Sequence, residues 1–160
     1  MEDIWNITAL VVSVLSVLLS LYALRQATTK NTSDMYLFFI SQYAKEDMKL
    51  ALRKLKDIKR GVYRLEQWES DMKNNLPKAF EYDEARRLVK YFYDTLAYMK
   101  LEKLIEARFV RLICLKKGAW LYRATVEAME KFFDSGYDKK PYAVIRDVCE
   151  NLRKEGCCPP

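Results

Sequence analysis

Glu84-Ala-Arg-Arg-Leu-Val-Lys-Tyr-Phe-Tyr-Asp-Thr-Leu-Ala-Tyr-Met-Lys-Leu-Glu-Lys103 decides the fold. Its apolar residues Ala85, Leu88, Val89, Phe92, Leu96 and Met99 recur at steps of three and four, the period of a helix with one buried face. Asp83 suits the N-cap position. The spacing therefore predicts the central helix of a core over residues 84–103.

The flanks repeat the pattern. Residues 35–43 are aromatic-rich and open the body as a helix. Residues 45–60 put Met48, Ala51, Leu52, Leu55 and Ile58 on one face, with Lys49, Arg53, Lys56 and Arg60 opposite, and Gly61 stops them. A weaker helix over 65–74 closes at Asn74-Asn-Leu-Pro77. Beyond the central helix, residues 105–115 end at Lys116-Lys-Gly118 and residues 119–135 end at Gly136. Pro141 opens a last helix running to Gly156. All four glycines then fall at helix ends or in turns, and no strand is expected. With 160 residues, 51% hydrophobic and 13% aromatic, one core is expected.

Residues 4–24 carry no charge, and 12 of them are Ile, Leu or Val. At about 1.5 Å per residue, they match the roughly 30 Å hydrocarbon core of a bilayer. The acidic start, Glu2 and Asp3, argues for an anchor rather than a signal peptide. No Lys or Arg precedes the span, and Arg25, Lys30, Lys45 and Lys49 follow it. The positive-inside bias then puts the N-terminus outside and the body in the cytoplasm of a cell whose inner membrane holds the protein. Within the span, Asn6, Ala9, Ser13, Ser16, Ser20, Ala23 and Ala27 form a stripe spaced 3, 4, 3, 4, 3 and 4. Small residues at that spacing suit a helix–helix contact, with a second copy or another membrane protein as partner. The competing reading is that each serine bonds back to its own helix.

These spans give an all-α chain: a transmembrane anchor over 1–25, a neck over 26–34, a cytoplasmic bundle of about five to seven helices over 35–156, and a tail over 157–160.

Chemistry is sparse. The absence of histidine removes the commonest metal ligand and the usual acid–base group near neutral pH. Neither Gly-rich phosphate motif occurs. Glu66/Glu69 and Glu127/Glu130 have E-x-x-E spacing, but di-metal bundles also use Glu-x-x-His, so solvated helix faces are the expectation for both pairs. Cys114, Cys149, Cys157 and Cys158 lack the paired spacing of a zinc site. Cys114 and Cys149 read as buried thiols in a reducing compartment, and Cys157-Cys158-Pro-Pro as a tail. No catalytic, cofactor or metal residue is assigned.

Charge is concentrated next to the span. Residues 25–64 hold 10 basic and 4 acidic residues, a surplus of 6, whereas from Leu65 onward 18 basic residues face 16 acidic, a surplus of 2. Lys49, Arg53, Lys54, Lys56, Lys59, Arg60 and Arg64 are positioned to meet anionic headgroups. The same residues also suit a solvated helix face. Nucleic acid is not expected as a partner, because no recognition motif is present.

The run Ala85-Arg-Arg-Leu-Val-Lys-Tyr-Phe-Tyr-Asp-Thr-Leu-Ala-Tyr-Met99 followed by Leu104-Ile105, the anchor, Tyr43 with Met48-Lys-Leu-Ala-Leu52, and Trp120 and Tyr142 together resemble the prokaryotic membrane-anchored helical family known as domain of unknown function 4760. That resemblance implies one N-terminal span and a cytosolic helical domain, without a catalytic residue. The family's glycine before Leu104 is Lys103 here.

The functional expectation is a scaffold or protein-interaction domain on a membrane anchor that self-associates. The alternatives are an enzyme using carboxylates and tyrosines in a cleft, or an accessory component of a phage-defence or envelope-stress system.

Overall fold

The computed structural model describes residues 15, 16, 18–23, 26, 33–133 and 137–157. The chain divides into two units, Met1–Leu37 and Phe38–Pro160. Every regular element among the described residues is helical.

In the first unit, residues 15, 16, 18–23 and 26 are helical. Leu15, Leu18, Leu19, Leu21 and Tyr22 are each more than half exposed, at 53%, 57%, 68%, 57% and 67%. Residues 4–14, 17 and 24 of the expected span lie outside the described residues, as do Asn6, Ala9, Ser13 and Ala27 of the small-residue stripe. Among the described residues, no helix is long and apolar enough to cross a membrane.

Residues 33–44 are helical (α1), and the part from residue 38 on belongs to the second unit. There follow α2 (Glu46–Lys59), α3 (Leu65–Lys73), α4 (Pro77–Leu101), α5 (Ala107–Cys114), α6 (Lys117–Leu121), a π-helical turn (Tyr122–Val126), α7 (Glu127–Phe133) and α8 (Lys140–Lys154). The central helix is α4, which packs on α2, α3, α5, the π turn and α8. It buries Val89, Phe92 and Leu96, each contributing about 1.5–3 kcal/mol. Trp68 is fully buried beneath α3, its indole N–H donating to the Ala79 carbonyl at 3.2 Å.

Helix ends follow one rule. After α2, α3, α4 and α8, the chain turns through a left-handed residue, Gly61 (φ 74°), Asn75 (55°), Lys103 (57°) and Gly156 (73°). In each case the paired Schellman bonds form. At α4 the Leu104 amide donates to Met99 and the Lys103 amide to Lys100, which occupies carbonyls the helix leaves free. Lys103 thus adopts the conformation that a glycine would take there at no steric cost.

Helix starts are less regular, and three expectations fail there. Asp83 is not an N-cap: α4 begins two turns earlier, with Pro77 in its first turn and Leu76 as the N-cap residue. The fixed φ of Pro77 and its missing N–H suit that position without any side-chain cap. Gly118 does not stop a helix: α6 starts at Lys117 and buries Gly118 in its first turn. The single helix expected over 119–135 is interrupted by the π turn.

Candidate functional site

The α4 stripe Asp83, Arg86, Arg87, Lys90 and Asp94 has helical spacing, and Asp83 and Arg86 at its start are buried. Asp83 is 1% and Arg86 7% exposed. Arg86 Nε donates to Asp83 Oδ1 at 2.7 Å, and Arg87 reaches Asp83 Oδ2 at 2.6 Å. The Arg86 guanidinium also pairs with Glu130 on α7 and lies over the Phe133 ring at 4.7 Å. Lys90 bridges Asp94 at 2.6 Å and approaches Glu130 at 3.9 Å. Glu127 is held by Arg146 of α8 at 2.9 Å and by the Tyr137 hydroxyl at 3.2 Å.

Glu127 and Glu130 are each 8% exposed. The expected solvated face is therefore corrected: this E-x-x-E pair is buried and neutralised by cations of the same chain. The π turn helps explain why. One extra residue in a turn resets the helical register, so Tyr122 at its first position and Glu127 and Glu130 after it are all buried. Glu66, by contrast, is exposed.

Two phenols complete the cluster. Tyr122 donates to Asp94 and stacks on Tyr142, with centroids 4.6 Å apart and planes 9° apart. Burial, and then the Asp94 carboxylate, push both hydroxyls well above the ordinary tyrosine range. Both stay protonated at neutral pH, and Tyr122 serves as a donor to Asp94 rather than as a base. Each carboxylate here already holds a cation of the chain. The cluster ties α4, α7 and α8 together, at the desolvation cost that buried ions carry.

A second feature is apolar. A groove of about 300 Å³ opens where α1, the start of α2 and the middle of α4 meet, with Phe38, Met48, Leu88 and Tyr91 among its walls. Phe39 and Phe92, both buried, meet edge to face at 5.4 Å beneath it. Phe38 is 57% and Tyr91 75% exposed. A second hollow, between α4, α5 and α8, is lined by Lys100, Lys154 and the Arg111–Glu155 ion pair.

The seven cations expected to face lipid are sorted by α2. Lys54 turns to Glu81 of α4 at 2.9 Å, and Lys49 pairs with Glu46 at 3.3 Å. Arg53, Lys56, Lys59, Arg60 and Arg64 are exposed and form no ion pair among the described residues. Of the small-residue stripe, Ser16, Ser20 and Ala23 are described and exposed. The Ser20 hydroxyl donates to the Ser16 carbonyl at 2.8 Å, the local bond that competed with an interhelical role.

Cys114 of α5 and Cys149 of α8 are free and buried. The influence of Cys149, and then burial, raise the Cys114 thiol, while the influence of Cys114 lowers Cys149. No group of residues suited to a metal ion occurs among the described residues. Neither the buried cluster nor the groove was legible in the sequence: charges at helical spacing look like a wet face, and the groove's walls come from separate elements. Compared with family models, curated proteins and solved structures, the chain has no match.

Proposed function

We propose that this chain is a single-pass inner-membrane protein whose cytoplasmic helical domain is a non-catalytic interaction module that binds other proteins or its own copies. The observation that carries this reading is the contrast between two features. The converging carboxylates are neutralised by the chain's own cations, whereas an apolar groove stands open at the start of the domain. A site for polar chemistry keeps groups free for substrate; a docking surface keeps apolar area free for the protein or membrane it meets.

The anchor assignment is supported by the uncharged run over residues 4–24 and by the exposed leucines of its described part. The resemblance to family 4760 implies the same layout. The unpaired cations of α2 suit the anionic leaflet beside which this topology puts them.

Purification in mild detergent, followed by mass spectrometry of the intact assembly, tests the proposal. A defined oligomer or a co-purifying partner is expected. A monomer without a partner overturns it.

A further inference from the structure

Lys45, Lys49, Arg53, Lys56 and Arg60 follow one another at intervals of 4, 4, 3 and 4 residues, the spacing of a single row along a helix. Lys45 stands at the bend before α2 and lines the apolar groove, and Arg53, Lys56 and Arg60 extend the row without an ion pair among the described residues. A row of cations therefore begins at the rim of the groove and runs away along α2.

Apart from the Asp47 carboxylate, the walls of the groove have matching chemistry. Tyr91 is 75% exposed, Phe38 57% and Leu88 38%. Aromatic rings with a polar tip, aliphatic carbon and a lysine able to keep its head in water are the side chains that settle where hydrocarbon meets headgroup. The tether adds a third constraint. Phe38 follows Leu24, the last residue of the uncharged run, by 14 residues. These cover about 50 Å if fully extended and about 21 Å if helical. Phe38, one wall of the groove, stands on the first element of the domain after that tether.

We propose that the groove docks on the anionic bilayer that holds the anchor, with Phe38, Leu88 and Tyr91 entering the interfacial layer and the row from Lys45 to Arg60 lying on the headgroups. This rests on the anchored reading above and adds a second, peripheral contact to it. The domain then lies against the leaflet, with α2 beneath it.

The test uses the full chain, with Cys157→Ser and Cys158→Ser, reconstituted in vesicles. An environment-sensitive fluorophore is attached at Tyr91→Cys, at Phe38→Cys and, for reference, at Leu112→Cys on α5. In phosphatidylcholine mixed with phosphatidylglycerol, emission at positions 91 and 38 should shift to shorter wavelength. Lipids carrying a nitroxide near the headgroup end of the acyl chain should quench both positions and spare position 112. Both effects should weaken in phosphatidylcholine alone. Absence of shift and quenching at 91 and 38, in a chain that still resists carbonate extraction, overturns the docking and leaves the anchor standing. Crosslinking of two chains through Tyr91→Cys, independent of lipid charge, also overturns it by giving the groove to a second copy. Release of the chain by carbonate removes the anchor reading and the docking together.

Discussion

The hydroxyl of Tyr43 on α1 accepts the backbone N–H of Gly118, 75 residues further along the chain, at 3.1 Å. The contact exists because Gly118 has no side chain. A Cβ there would stand 2.6 Å from the Tyr93 hydroxyl and 3.0 Å from the Tyr43 ring. Gly118→Ala should therefore destabilise the domain by about 1–3 kcal/mol, as overpacking does. The Tyr93 hydroxyl is buried without a hydrogen-bond partner among the described residues, so Tyr93→Phe removes the obstacle at little cost. Urea denaturation of both single variants and the double should show strong non-additivity. Additive losses would mean that the clash lies elsewhere.

Lys103 is held at positive φ, at 57°. Lys103→Gly should stabilise the domain by about 0.5–1 kcal/mol: relief of left-handed strain outweighs the extra freedom glycine gives the unfolded chain. A lower melting temperature would contradict this.

Arg86 compensates two buried carboxylates, Asp83 and Glu130. Arg86→Ala should cost about 3–5 kcal/mol because both are left without their main counter-charge. Replacing all three with apolar residues of similar volume should recover much of the loss. Equilibrium unfolding of the single and triple variants separates these outcomes.

Arg53, Lys56 and Arg60 carry no ion pair among the described residues, so changing all three to glutamine should leave thermal stability within about 0.5 kcal/mol of the parent. On the anchored reading, each change weakens association with anionic headgroups by about 1 kcal/mol. Fluorescence at the groove positions, read as a function of vesicle charge, checks the second effect independently of the first.

Alkali should unfold the domain through its tyrosines. The hydrogen bond to Asp138 pushes Tyr98 up to about 12, and burial raises Tyr43, Tyr82 and Tyr93. The folded state therefore keeps protons that the unfolded chain releases near its ordinary value of about 10. The associated stability is complete below about pH 10 and falls as pH rises toward the folded values. Tyrosinate absorbance should appear together with the loss of helical circular dichroism. Smooth titration of these tyrosines with the helices intact would refute the assignment.

Residue-level patterning made most of the fold legible. The period of Met48, Ala51, Leu55 and Ile58, and that of Ala85, Val89, Phe92 and Leu96, marks faces that are buried, whereas Leu52 and Met99 of the same expected faces are half-buried and Leu88 is exposed. Gly61 and Gly156 end helices as their chemistry requires. The starts were harder to place, because the N-cap residues of α2 to α6 make no side-chain capping bond. Asp83 has the side chain of a cap and works as a buried counter-ion.

The sequence by itself determined the helical class, the separation of an uncharged N-terminal run from the body, and the concentration of cations on α2. All three follow from local periodicity and composition, which act within a few turns of chain. Only tertiary structure decided that Glu127 and Glu130 are buried, that Gly118 is a point of close approach and that Phe38, Met48 and Tyr91 wall one groove. Those outcomes depend on which residues of distant elements meet. The pairing of Tyr43 with Gly118, or of Arg86 with Glu130, is settled by the packing of whole helices and leaves no mark in the spacing of either residue's neighbours.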